Sequence, residues 1–437
     1  MGADRLSSPA PTMRSRYKWW VVAMLWFVCL FNYADRQAIF AIFPVLKKEF
    51  GFDTVQLGWI GSAFMWVYAA GAPVAGFIGD RTRRKDLILG GCLFWSFVTV
   101  STSWCQKLWH FVTVRALEGV GETFYFPASM SLISDYHSAG TRSKAMSFHQ
   151  SSVYIGTILG SWAGAWFAST RLGWRAGFYC FGGAGMILAL VLYALLREPR
   201  RGQSEPAPPT EEELDRPTVG EALFAILRSP AALVLMLVFV GANSVAAVFL
   251  TWAPTFLVEK FHFQLTTAGL SGTVFIHLAS AVSVPMGGAL ADRLARQFAG
   301  GRMMVQAAGL VLGAGFVRLV GTTEDVTILL LAMTVFGFGK GLYDSNIFAS
   351  LYDVVPARNR ALAAGIMNTA GWGGGAMGPV AVGWIAKHGH SGSEIQNMSY
   401  AITWGGVIYL SGAILLLAAI TLFSGWARRG PAVRVSG

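Results

Sequence analysis

The sequence predicts an all-α membrane protein in which twelve transmembrane helices form two pseudo-symmetric bundles of six. Three observations predict this fold. Hydrophobic residues make up 54% of the 437 residues and charged residues only 13%, a balance typical of membrane proteins. Apolar runs of about twenty residues, long enough to cross a hydrocarbon core of about 30 Å, occur twelve times. The second half of the chain also repeats residues of the first.

The twelve apolar runs follow one another along the whole chain. The 51 glycines fit helices that pack closely in a membrane, because small residues let helix backbones approach one another. We place the spans near residues 18–44, 56–78, 86–106, 108–133, 144–168, 175–196, 230–254, 267–291, 303–321, 326–350, 360–385 and 399–425.

A long polar stretch divides the chain between the sixth and seventh spans. We expect a cytoplasmic arm at 1–17, a first bundle at 18–196, a linker at 197–229, a second bundle at 230–425 and a cytoplasmic tail at 426–437. Within the linker, the apolar residues Val219, Leu223, Ile226 and Leu227 have helical spacing. This spacing predicts a short amphipathic helix on the membrane surface.

The repeat relates residues that lie 218 positions apart. Several residues keep their type in both halves: Gly119, Gly121, Tyr125, Asp135 and Arg142 recur as Gly337, Gly339, Tyr343, Asp353 and Arg360. Glu122 aligns instead with Lys340. Two matching membrane halves with different charges at an equivalent depth are typical of a transporter whose site lies between the halves.

The net charge of +11 reflects membrane topology and predicts no nucleic-acid partner. Lys and Arg residues concentrate in alternate loops, so the positive-inside rule places both termini in the cytoplasm. The polar N-terminal arm has no small-residue cleavage site, and we expect no removed signal peptide. The sequence therefore predicts a multi-pass protein of a bacterial inner membrane, in contact with the lipid bilayer and monomeric.

The sequence contains no set of residues that predicts an enzyme. The four cysteines lie inside apolar spans without the spacing of metal ligands, and we interpret them as reduced thiols. A nucleophile, a base and an orienting group cannot be assembled either. We therefore expect no metal, no cofactor and no catalytic residue.

Two loops carry a repeated motif of glycine, aspartate and arginine. It begins at Gly76 between spans two and three and at Gly288 between spans eight and nine, and it resembles the signature loop of the major facilitator superfamily. We expect the glycine to permit close helix contact and the aspartate to latch the two bundles. The positive-inside rule alone explains the basic residues but not the paired Gly and Asp. The predicted gating residues are Gly76, Asp80, Arg81, Arg84, Asp135, Arg142, Gly288, Asp292, Arg293, Asp353 and Arg360.

Seven charged residues lie inside the predicted spans and far from the membrane edges, where a charge costs several kcal/mol unless it is paired or hydrated. They are Asp35, Arg36, Arg115, Glu118, Glu122, Lys340 and Asp344. Their signs nearly balance.

The fourth span carries three of these residues on successive turns of one helix face. Arg115, Glu118 and Glu122 have the spacing of a vertical ladder, and Glu118 and Glu122 repel each other when both are ionised. We predict that Glu122 exchanges a proton. For Glu118 a proton-coupling role and a structural pair with Arg115 remain equal alternatives.

Asp35 and Arg36 are neighbours in the first span and lie about 100° apart around a helix. One side chain therefore faces the cavity while the other turns toward span four. Arg binds a planar carboxylate with two hydrogen bonds and stays charged, and Asp can exchange a proton. The pair predicts anion binding tied to proton movement, with a purely structural ion pair as the alternative.

Several segments together resemble the anion:cation symporters of the major facilitator superfamily. In the first half they include Asn32-Tyr33-Ala34-Asp35-Arg36, the aromatic run from Phe64 to Tyr68, and the stretch from Arg115 to Pro127. In the second half they include Thr251-Trp252, Pro254 and Ala364-Gly365 with Asn368.

This resemblance implies proton-driven uptake of organic anions. Arg36 would hold the carboxylate, Asp35 and Glu122 would carry the proton, and Arg115 would sense protonation. By the same resemblance Tyr33, Tyr68 and Asn368 would contact the substrate. The chain departs from the family in the stretch Ser152-Val153-Tyr154-Ile155-Gly156, where Gln is usual, and in the pair Lys340 and Asp344, which is not a feature of that family. We expect Tyr154, Lys340, Asp344 and Trp372 to contribute to the substrate site as well.

A second set of motifs resembles the Spinster group of lipid carriers. It comprises the same Asn32 to Arg36 stretch, Phe94-Trp95-Ser96, the stretch from Gly119 to Tyr125, and Arg197-Glu198-Pro199.

We expect symport of a small carboxylate with protons as the coupling ion, in which Arg36 and Lys340 anchor the anion across the halves. A lysolipid or drug carrier is the alternative within transport, and an anion sensor without transport is the alternative outside it.

Overall fold

A computed structural model describes residues 16–79, 81–204, 219–298, 300–356 and 359–429. Within these ranges the chain forms seventeen helices and no strand. The all-α fold class predicted from the sequence is confirmed. Four parts of the predictions lie outside the described residues: residues 1–15 of the predicted arm, residues 205–218 of the linker, residues 430–437 of the tail and the predicted gating residue Asp80.

Eight helices make up the first half. They are α1 (Tyr17–Ala41), α2 (Phe43–Phe50), α3 (Thr54–Gly79), α4 (Arg84–Thr102), α5 (Leu108–Thr123), α6 (Tyr125–Tyr136), α7 (Ala139–Ser169) and α8 (Gly173–Leu195). The fourth span consists of α5 and α6, which are separated at Phe124.

Nine helices follow in the rest of the chain. They are α9 (Val219–Leu227), α10 (Pro230–Phe261), α11 (Leu265–Ala295), α12 (Gly301–Thr322), α13 (Val326–Asp344), α14 (Ile347–Val354), α15 (Arg360–Gly375), α16 (Met377–His388) and α17 (Glu394–Arg429). The short α9 occupies the segment in which the apolar spacing predicts an amphipathic helix. The tenth span consists of α13 and α14, and the eleventh of α15 and α16.

The helices reproduce the order of the twelve spans predicted from hydropathy. Seven stretches of the described residues are long and apolar enough, by length and composition alone, to cross a membrane. One of them, Val326–Val354, contains both helices of the tenth span. The chain is therefore a multi-pass membrane protein.

Glycines allow the helices of each half to pack with their backbones close together. Gly160 of α7 lies against the backbone of Ala34 in α1, so close that a Cβ atom would overlap it. In the second half, Gly337 of α13 lies in the same way against Ile276 of α11. These contacts fix the central helices of each half, which carry the buried charges described below.

The two halves meet at the end of the molecule that carries α2, which we call the far face. The opposite end, where the linker begins after α8, we call the linker face. At the far face Lys47 bonds to Glu259 at 3.0 Å and Glu394 at 2.7 Å across the halves. Asp53 of the first half pairs with Lys387 of the second at 2.7 Å. The halves are thus closed against each other at the far face.

Two helix pairs extend this closure toward the middle of the molecule. On one side α3 packs against α15 and α16, and on the other α7 packs against α11. Thr54 donates to the carbonyl of Gly383 at 2.9 Å on the first side, and Ser161 donates to the carbonyl of Gly269 at 2.7 Å on the second. Contacts across the halves therefore reach from the far face to the helix centres.

Substitution of Gly160 with alanine tests the close packing of α1 against α7. We expect Gly160→Ala to lower the melting temperature of the detergent-solubilised protein, because the new Cβ forces the two backbones apart. Gly90 of α4 faces open space, with no neighbouring atom within 4 Å of the position that a Cβ would take, so Gly90→Ala is the matched control. It should leave stability unchanged or raise it by about 0.5–1 kcal/mol. Equal melting temperatures for the two variants would contradict this packing.

Candidate functional site

A cluster of five charged side chains is buried in the centre of the first half. It consists of Asp35 and Arg36 on α1 and of Arg115, Glu118 and Glu122 on α5, each at most 8% exposed. Such a cluster inside a membrane protein is costly unless its charges are paired, so its hydrogen bonds define what it can do.

Arg36 forms an ion pair with Glu122 that joins α1 to α5. Its Nε donates to Glu122 Oε2 at 2.9 Å, and its Nη2 donates to the same oxygen. The Nη2 group also donates to Asn32 Oδ1 at 3.1 Å. The other oxygen of Glu122, Oε1, is buried without a hydrogen-bond partner among the described residues. The carboxylate therefore uses only one of its two oxygens to bind the guanidinium.

Aromatic rings surround the guanidinium of Arg36. Its central carbon lies 4.4 Å from the ring centroid of Tyr33, 4.3 Å from that of Phe64 and 5.7 Å from that of Tyr68. The ring of Trp372, on α15 of the opposite half, lies at 5.9 Å. Aromatic faces attract a cation, and Trp372 brings the second half into direct contact with this ion pair.

Asp35 points away from Arg36, as the helix geometry predicts. It accepts hydrogen bonds from the backbone N–H of Arg36 at 2.7 Å and from the hydroxyl of Thr99 on α4 at 3.1 Å. Within the described part of the chain no basic side chain forms an ion pair with it. Asp35 is therefore a buried carboxyl group held by two neutral donors.

The predicted ladder of Arg115, Glu118 and Glu122 is wrong in one respect. Arg115 forms a buried ion pair with Glu118, one turn away, but Glu122 binds Arg36 instead. Arg36 reaches Glu122 because α1 lies beside α5, a proximity that the spacing within one helix does not show. The Nε and Nη2 groups of Arg115 are buried without a hydrogen-bond partner among the described residues.

A second charged pair lies in the second half. Lys340 and Asp344 pair along α13, with side chains 23% and 35% exposed. Beside them Tyr154 of the first half lies edge-on to the ring of His277 of α11, with 6.1 Å between the ring centroids. Lys340 and Asp344 both act electrostatically on Tyr154. These four residues form a group that contains residues of both halves. The first cluster likewise has a neighbour from the opposite half, Trp372.

The predicted substrate residues thus divide between two groups. Tyr33, Tyr68 and Trp372 surround Arg36, whereas Tyr154 joins Lys340 and Asp344. Asn368 is half-buried and lies one turn before Trp372 on α15.

Asn32, Thr99 and His277 were not among the predicted site residues, although Asn32 belongs to both sets of motifs. A buried polar residue one turn from Arg36 is a sequence signal that could have identified Asn32. Thr99 and His277 are brought to the charged groups only by the packing of separate helices.

Three of the predicted gating residues, Arg84, Asp135 and Asp353, take part in two equivalent ion pairs at the linker face. Arg84 binds Asp135 and, at 3.0 Å, Glu198. Arg302, which lies 218 positions after Arg84, binds Asp353 at 2.7 Å. Each pair joins residues of one half. The latch expected of the motif aspartates stays a prediction for Asp80, which lies outside the described residues.

The other motif residues take separate places at the linker face. Asp292 accepts from Arg302 at 3.1 Å, whereas Arg142 and Arg360 donate to backbone carbonyls near their own helices, those of His137 and Tyr352. Arg81 and Arg293 are exposed.

The expectation of close helix contact at Gly288 is wrong. Gly288 faces open space, whereas its neighbour Gly287 lies against Leu342 and Ser345. The helix rotation, which a motif does not specify, decides which of two adjacent glycines meets the neighbouring helix. Gly76 lies within α3.

The chain is similar to carriers of both groups identified by its motifs. It is 29% identical to protein spinster homolog 1 of Bos taurus over 77% of this chain and 67% of that protein. It is 25% identical to the probable galactarate/D-glucarate transporter of Escherichia coli K12 over 92% of this chain and 94% of that protein. Both resemblances are therefore confirmed.

A solved structure has the same fold. A bacterial homolog of the human lysosomal transporter Spinster, crystallised inward-facing and unoccupied, superposes with a TM-score of 0.82 at 19% identity, over 94% of this chain and 99% of that chain.

The family model described as Major Facilitator Superfamily matches residues 25–298 and 256–436, which together cover nearly the whole chain. The relatives are transporters, so the prediction that the chain is not an enzyme is confirmed. The chain belongs to the Major Facilitator Superfamily.

Proposed function

We propose that the protein is a secondary active transporter that carries a small organic anion, a sugar acid or another carboxylate, together with protons. Alternating access of the central site would result from rocking of the two halves. The positive-inside rule makes the linker face cytoplasmic, in a bacterial inner membrane. The protein would work as a monomer without a metal or other cofactor, and the proton is the coupling ion.

The buried ion pair of Arg36 and Glu122 carries this proposal. A guanidinium is suited to binding a carboxylate, but here Glu122 already occupies Arg36. A substrate carboxylate must therefore displace Glu122. A proton on Glu122 removes its charge and releases Arg36 for the substrate, so anion binding and proton binding are linked at one point.

The charge balance of the first cluster supports the same linkage. It contains three carboxyl groups, Asp35, Glu118 and Glu122, and two guanidinium groups, Arg36 and Arg115. One proton shared among the carboxyl groups makes the cluster neutral. An uncompensated buried charge costs several kcal/mol, and Asp35 is the carboxyl group without a basic partner among the described residues. Asp35 and Glu122 are therefore the proposed proton carriers, with Arg115 holding Glu118.

A ligand between the two charged groups would join the halves. Its carboxylate would bind Arg36, beside Tyr33, Tyr68 and Trp372, and its other end would reach Lys340 across the interface. Asn368 lies on the same helix as Trp372, and we propose that it also contacts the ligand. Contacts to both halves favour the closed, loaded state, which a transporter needs in order to move the ligand.

The similarity to spinster homolog 1 favours a second candidate, transport of a lysolipid or another amphiphile. Proteoliposomes with an imposed pH gradient distinguish the two candidates when sugar acids, dicarboxylates and lysolipids are each tested for flux. Gradient-driven flux of a carboxylate supports symport, and flux of lysolipid alone supports the amphiphile carrier. Binding without flux of any compound would instead indicate an anion sensor.

Glu122→Gln tests the proton linkage. We expect it to reduce uptake driven by a pH gradient by at least about tenfold, because the amide cannot exchange the proton. Counterflow of the same substrate should persist, since the neutral amide leaves Arg36 free.

The control is Glu324→Gln, which changes an 82% exposed carboxylate at the far face and should leave both transport modes unchanged. Equal loss of uptake and counterflow in Glu122→Gln would show a structural role for Glu122.

Arg36→Lys tests the anion anchor. An ammonium lacks the two parallel donors of a guanidinium, and we expect the KM for the carboxylate to rise by about tenfold or more. Arg175→Lys is the control because Arg175 also pairs with a glutamate, Glu49, but is 39% exposed at the far face. An unchanged KM in Arg36→Lys would exclude Arg36 as the anchor.

A further inference from the structure

His277 lies at the interface between the halves. Gly269, two turns earlier on α11, packs against Ser161 of α7, and Tyr154 of α7 approaches the His277 ring. His277 therefore faces the first half, beside the Lys340 and Asp344 pair of its own half. The close contact of Gly337 with Ile276 brings α13, which carries Lys340, directly against this part of α11.

The hydrogen bond of the His277 ring fixes which nitrogen carries the hydrogen. Nδ1 lies 2.8 Å from the carbonyl oxygen of Thr273, one turn earlier. A carbonyl oxygen only accepts, so Nδ1 must be the donor, and in the neutral ring Nε2 carries a lone pair. Nε2 does not belong to the fully buried polar atoms that lack a hydrogen-bond partner, and the His277 ring is only half-buried. An accessible acceptor is thus left at the interface.

The group around His277 offers acceptors as well as donors. The positive charge of Lys340 is already balanced by Asp344, and the accessible lone pair of His277 repels a carboxylate. A carboxylate only accepts hydrogen bonds, whereas a hydroxyl group both donates and accepts. A substrate hydroxyl can donate to His277 Nε2 and accept from Tyr154 or Lys340, so the group matches hydroxyls better than a second carboxylate.

We propose that His277 determines substrate specificity: its Nε2 accepts a hydrogen bond from a hydroxyl group at the end of the substrate opposite the carboxylate. Tyr154 positions this end from the other half. The inference rests on the proposed symport, in which Arg36 holds the carboxylate. The group of His277, Tyr154, Lys340 and Asp344 would therefore recognise hydroxyls and would not bind a second carboxylate.

Uptake of three probe anions of equal carbon-chain length by the reconstituted full chain tests this assignment. Gluconate carries hydroxyls, hexanoate carries none, and adipate carries a second carboxylate. We expect gradient-driven uptake to favour gluconate. His277→Phe removes the acceptor and should raise the KM for gluconate roughly tenfold, as for one lost hydrogen bond, with the KM for hexanoate unchanged. His277→Gln, which retains an acceptor, should recover part of the affinity and also shows whether the site tolerates substitution.

The control variant is His388→Phe. His388 makes the same type of contact, from Nδ1 to the carbonyl of Trp384 one turn earlier, but it is exposed at the far face, so gluconate uptake should not change. Equal changes for gluconate and hexanoate in His277→Phe, or a preference for adipate, would overturn the role of His277 and leave symport intact. Absence of gradient-driven flux of all three anions in the unmodified protein would overturn both proposals.

Discussion

The need to balance charges away from water determines how the centre of this protein is built. The guanidinium of Arg36 lies between two helices of its own half and meets Trp372 of the other. Its pairing with Glu122 requires α1 and α5 to keep a fixed rotation and depth. The close packing of α7 on α1 through Gly160 supports that rotation. In the proposed symport, the anion site and the proton site would thus share one carboxylate, that of Glu122.

The sequence was sufficient for the architecture but not for the pairing of charges. Twelve spans follow from hydropathy because the membrane imposes their length, and the internal repeat predicts two equivalent halves. The same repeat relates Arg84 to Arg302, but the motif residues alone gave no reason to select Arg302. The partner of Glu122 is 86 residues away, and periodicity within one helix cannot show which neighbour lies opposite. His277 was missed for the same reason, since its neighbours come from two other helices.

The pseudo-symmetry of the chain extends to contacts that differ in chemistry. Tyr154 and Trp372 lie 218 positions apart, and each crosses to the other half: Trp372 lies against Arg36, and Tyr154 approaches His277, beside the pair of Lys340 and Asp344. Trp372 contacts a strongly buried pair surrounded by rings, whereas Tyr154 lies near a pair that is more exposed. Gene duplication would provide such equivalent positions. The two halves differ in charge at one of them, because Glu122 of the first half corresponds to Lys340 of the second. In the proposed transport the two groups would recognise different ends of one ligand.

The break in the eleventh span has a mechanical consequence. Its far-face segment, α16, is held to α3 where Ser62 donates to the carbonyl of Ala376 at 2.5 Å, at the break itself. The other segment, α15, carries Trp372 and Asn368 and ends at that point. A break between two helix segments can absorb backbone rotation in moving domains. In the proposed rocking of the halves, rotation at this break would move the Trp372 ring relative to Arg36 while the bond from Ser62 keeps α16 attached to α3.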